Sequence, residues 1–115
     1  MFFATRRWAL RVSEEMGFDV KNPVTTELVS MIIQGTKHFA EMMRSAGSKM
    51  KEPELVLMSA ASLRGNVSAI RRLTEECGID TQQAAEVLDK AWLAARKLAE
   101  NEQFLELLNS RWFRP

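Results

Sequence analysis

Helix-breaking residues are few and clustered, and this limits the chain to long helical runs. Three prolines and five glycines occur in 115 residues. They fall mainly in "GFDVKNPVT" at 17–25, "AGSKMKEP" at 46–53 and "CGID" at 77–80. Between these breaks Ala, Leu, Met, Glu, Gln, Lys and Arg dominate, residues that lose little rotamer freedom in a helix. The expected fold is all-α: a four-helix bundle in one domain over residues 1–115, with a short fifth helix at the C-terminal end as an option. A hydrophobic content of 46% is ordinary for a globular chain able to bury a core without staples.

Local signals place the helix ends. The second helix is expected to open near Thr25, just after Pro23, and the third to carry Pro53 in its first turn. "DTQQ" opens the fourth, with Asp80 as cap and Gln83 three residues on. Gly17, Gly47 and Gly78 are the expected C-terminal stops.

Placing residues 100° apart gives the faces. In the second helix Leu28, Ile32, Gly35, Phe39, Met42, Met43 and Ala46 share a side, and Gly35 allows a close backbone approach. The third, read as one helix through Cys77, has a seam of Val56, Ala60, Leu63, Val67, Ile70, Thr74 and Cys77. Ala84, Leu88, Ala91, Ala95 and Leu98 line the fourth. The methionines read as adaptable core.

Some apolar residues lie off these seams. Leu55, Met58, Ala69 and Leu73 make the third helix greasy around most of its circumference. Helix one has two ridges: Trp8, Val12 and Met16 on one, Phe3 and Leu10 on the other. After Leu98 the stripe changes phase, and Phe104, Leu105, Leu108 and Trp112 face nearly opposite. Either the helix breaks near Asn101 and folds back, or its end binds outward. Phe3, Leu10, Leu55, Leu73, Phe104, Leu108, Trp112 and Phe113 are therefore the candidate partner-binding residues. "NSRWFRP" sets Trp112 and Phe113 between two arginines, a composition that dominates interface energetics.

Net charge is +1, which gives no bulk attraction to polyanions. The distribution is uneven: residues 1–74 hold 11 Lys/Arg against 7 Asp/Glu, and residues 75–115 hold 5 against 8. "LVLMSAASLRGNVSAIRRLT" carries three arginines and no acid. Arg64, Arg71 and Arg72 share an arc of the third helix and are candidate phosphate contacts. Glu75 and Glu76 follow Arg71 and Arg72 by four residues and can neutralise them. Arg64 has no such acid on its own ridge, so a neighbouring helix would have to supply one. Arg6, Arg7 and Arg11 beside Trp8 form a second basic-aromatic cluster. Lys37, Arg44, Lys49 and Lys51 form a looser third.

Catalytic constellations are missing. His38 is the one histidine, and no Glu-x-x-His pair or zinc spacing occurs. Cys77 lies beside Glu75 and Glu76 rather than cations, so it reads as structural, and a single cysteine fits a reducing, cytoplasmic setting. No catalytic residue, metal or cofactor is expected, and no run is long enough for a membrane span. "MFFATRRWALRVS" has the basic, acid-free look of a presequence but reads more simply as the first helix. The Asn66 sequon is discounted in a helical setting without a secretory signal.

No family is legible in local motifs. "GIDTQQAAEVL" is similar to the first helix of a helix-turn-helix, but the recognition helix does not follow at the required spacing. At the level of architecture the chain resembles the small helical subunits of CRISPR effector complexes and some phage assembly proteins. That analogy implies a non-enzymatic subunit of a protein or nucleoprotein assembly, its arginine strip on a nucleic-acid backbone. The alternative is a protein-binding regulator or adaptor, such as a phage-encoded inhibitor or assembly chaperone, that touches no nucleic acid. A bundle enzyme with an unseen cofactor is the distant third.

Overall fold

The structure is a computed structural model. It describes the backbone of residues 2–47 and 49–108, and the side chains of residues 7–47, 49–106 and Leu108. The described chain is all helix: α1 (Phe2–Glu15), α2 (Pro23–Ser45), α3 (Glu52–Leu63), α4 (Val67–Cys77), α5 (Thr81–Asp89), α6 (Ala91–Ala99) and α7 (Glu102–Leu108). These are the four expected helical segments and the short fifth, with two of the four broken once each.

The first added break follows from "RGN". Gly65 takes a left-handed φ of +69°, and extended Asn66 accepts the Ala69 amide on its side chain, starting α4 afresh. This re-phases the helix. Val67, expected on the seam, is 70% exposed, whereas Ala69 and Leu73, expected off it, are buried. The second break, at Lys90, has no glycine or proline to announce it, and the stripe from Ala84 to Leu98 runs buried through it as expected.

Other termini follow elementary capping. Asn22 caps α2 and Pro23 is its first residue, so this helix starts two residues before the expected Thr25. Pro53 sits in the first turn of α3, and Asp80 and Gln83 form a reciprocal capping box on α5. Asn101 caps α7 by accepting the Phe104 amide at 2.8 Å. Gly17, Gly47 and Gly78 all have positive φ after their helices.

The middle of the molecule is α2. Val29 to Ile33 are buried in succession, more than a full turn, so α2 is enclosed on every side there. It packs on α1, α3 and α4; α3 also packs on α6, α4 on α5, and α7 on α6 and α3. Small groups set a close crossing, where Gly35 of α2 meets Ser59 of α3. The buried hydroxyls there are satisfied: Ser59 and Thr36 each donate to the Ile32 carbonyl at 2.7 Å. Only the first half of the expected α2 seam is covered. Phe39 is half-buried, Met42 is 49% exposed and Ala46 is exposed.

Much of the off-seam grease is used internally. Leu55, Leu73, Phe104 and Leu108 were expected to face a partner, and all four are buried in the protomer. Two features account for Leu73, Phe104 and Leu108. The Gly65–Asn66 break lets α4 turn Leu73 inward, and the Asn101 break folds α7 back so that Phe104 stacks on Trp8 at 6.1 Å. Leu10 is 39% exposed. Phe3, Trp112 and Phe113 lie outside the described side chains.

Candidate functional site

The expected arginine strip does not act as a unit. Arg72 turns inward from α4 onto α2. Its Nε pairs with Glu27 Oε1, its Nη1 donates to Gln34 Oε1 at 2.8 Å, and its Nη2 lies 3.5 Å from Ser30 Oγ. The Glu27 side chain is only 8% exposed, so the pair is a helix-to-helix clamp and not a phosphate contact. Arg64 is exposed, with Nε 3.6 Å from Asp89 Oδ1, so a neighbouring helix does supply its acid. That distance and exposure make the pair weak. Arg71 is exposed.

The second basic cluster also separates. Arg7 and Arg11 are exposed on α1, whereas Trp8 is half-buried against Phe104. The aromatic ring and the cations therefore point different ways. The Arg6 side chain lies outside the described set. His38 is exposed and meets Phe39 edge-on at 5.7 Å. Cys77 is half-buried against the core. Among the described residues no cluster of three or more His, Cys, Asp or Glu could hold a metal ion. None of their helices is long and apolar enough to cross a membrane.

The structure brings forward a different surface, on α6. Ala91, Ala95 and Leu98 bury one side of this helix. Trp92 and Leu93 are therefore carried outward, each 47% exposed. Arg96, one turn on, sets its guanidinium carbon 5.7 Å from the Trp92 ring centroid. Beside Leu93 runs an open groove of about 410 Å³ between α6 and the start of α2. Phe18, Val24, Leu28, Val87, Leu93 and Ala94 make it apolar, and Lys90 and Lys97 edge it on the α6 side. The Lys97 ammonium lies 5.7 Å from the centroid of the Phe18 ring. A neighbouring depression shares Val24, Val87 and Lys90 and continues to Ile79 and Glu86.

The chain matches no family model, no curated protein and no solved structure. The residues themselves therefore carry the functional argument. An adjacent exposed Trp and Leu, an arginine on the indole face and an apolar groove alongside have the composition of an interface centre. The sequence held one signal for it: Trp92 and Leu93 fall between the buried positions of the α6 stripe, and a large apolar pair there has nowhere inside to go.

Proposed function

We propose that this chain is a non-enzymatic helical subunit that binds another protein, within a larger assembly or as an adaptor, in a reducing cytoplasm. The observation that carries this reading is the exposure of Trp92 and Leu93 side by side, next to an apolar groove. Scattered single apolar residues are normal on a surface; an exposed Leu that lines an apolar groove, with an exposed Trp next to it in the helix, is the pattern of a contact site. The partner face proposed here is centred on α6 and does not use Leu55, Leu73, Phe104 or Leu108.

The test is capture from the native host lysate, with mass spectrometry, with and without nuclease. The wild-type chain should retain a protein that survives nuclease treatment. Trp92→Ala with Leu93→Asp should lose it, since a central aromatic contributes about 2 kcal/mol or more, roughly thirtyfold in affinity. Capture unchanged by those substitutions would remove α6 from the reading.

A nucleic-acid backbone as additional partner is a second reading, favoured by the exposure of Arg64 and Arg71 on either side of the α3–α4 turn. Oligonucleotide binding should then weaken steeply with salt. Arg64→Ala with Arg71→Ala should lower the slope by about two, near one per lost phosphate contact. Absence of binding at low salt would discard it.

A further inference from the structure

Three surfaces compete for attention. The cleft of about 430 Å³ between α2 and the α3–α4 turn, with His38, Phe39 and Asn66, carries no bias toward any one occupant. The exposed arginines of α1 and α4 stand beside single exposed apolar residues, Leu10 and Val67, which point to no one occupant. The α6 groove differs, because its shape and its charge point to the same kind of ligand.

From Lys90 to Ala99 there is no acid, and every exposed polar side chain on this stretch is cationic: Lys90, Arg96 and Lys97. Lys90 and Lys97 lie seven residues apart, roughly 10 Å along the axis, at the edge of an apolar floor. Two acids, Asp19 and Glu86, also border the groove and its neighbouring depression, both off α6, so the cationic side of the groove is the α6 side. We infer that the groove takes an amphipathic helix of a partner protein, apolar on one face, with carboxylates flanking that face toward α6. Leucine-type side chains would cover Phe18, Val24, Leu28 and Leu93, while acids two turns apart would meet Lys90 and Lys97. An apolar floor favours protein side chains over a phosphate backbone, which would have to leave water to lie on it. This inference rests on the subunit reading above and specifies the chemistry of its partner.

The test uses the full chain and two synthetic amphipathic peptides of about 18 residues, long enough for several helical turns. Both carry the same leucine face; one has glutamates beside it and the other lysines. Affinity is read by fluorescence anisotropy of labelled peptide, and the site by backbone amide shifts of Leu93, Ala94 and Lys97. The glutamate peptide should bind more tightly than the lysine peptide and perturb those amides. Its affinity should fall about tenfold in Lys90→Glu with Lys97→Glu and weaken with added salt. Both lysines are exposed, so these variants should fold with only the small loss of the Lys97–Phe18 contact, which circular dichroism checks. Equal binding of the two peptides, shifts confined to other helices, or tighter binding of oligothymidylate to the same amides would each overturn the inference. If Trp92→Ala with Leu93→Asp abolishes partner capture while the two peptides bind equally, the acidic chemistry fails and the subunit reading stands. Capture indifferent to those substitutions would fail the subunit reading itself.

Discussion

A Cβ on Gly35 would lie 2.2 Å from Ser59 Oγ, so the Ser59 hydroxyl of α3 occupies the space that any larger residue of α2 would need. Gly35→Ala gains about 1 kcal/mol of helix propensity but forces the helices apart, which costs about 1–3 kcal/mol. Net destabilisation is expected in urea unfolding. Adding Ser59→Ala removes the clashing oxygen and should restore part of the loss. The Ile32 carbonyl still has the Thr36 hydroxyl, so the second substitution orphans nothing there. Strict additivity of the two changes would contradict the close-contact account.

Removing Arg72 should hurt stability and leave nucleic-acid binding alone. Arg72→Ala breaks a buried ion pair, at a cost of roughly 3 kcal/mol, the low end for such a loss. Replacing Glu27 and Arg72 together by leucine and methionine should recover most of that loss in chemical denaturation. A change in oligonucleotide affinity without a change in stability would return Arg72 to the surface strip.

The two sets of apolar residues should respond oppositely to alanine. Phe104→Ala should cost about 3–5 kcal/mol, and Leu55→Ala about 2–5 kcal/mol, because both fill the core. Leu93→Ala should fall within about 0.5 kcal/mol and act on partner capture instead. Thermal melts alongside capture assays separate the two classes.

Asp80→Ala should cost about 1 kcal/mol by opening the capping box of α5, and Asp80→Asn should retain most of it. Equal melting temperatures for Asp80→Ala and wild type would mean that the box contributes nothing.

Signals local in sequence were legible. The Asp80–Gln83 box, the stops at Gly17, Gly47 and Gly78, Pro53 in a first turn and the break near Asn101 are each written within a few residues. The α3–α4 break was hidden because apolar residues keep helical spacing across it. Leu63, Val67 and Ile70 imitate a continuous seam, although Gly65–Asn66 carries the turn chemistry. The fate of Arg72 was not legible either. Its sequence neighbours suggested Glu76 and gave no sign of Glu27, an acid 45 residues away that packing alone brings to it. Trp92 and Leu93 were overlooked for a related reason. A stripe reading follows the residues that face inward, and this surface is made of those that do not.

The enclosed turn of α2 has a practical consequence. Amide protons from Val29 to Ile33 cannot reach deuterium through local fraying, so their exchange should report opening of the whole fold. Any molecule that binds only the folded chain lowers the open population by the factor one plus its concentration over its dissociation constant. Slowed deuteration of these five buried residues would thus register a ligand before anyone knows its identity or where it sits.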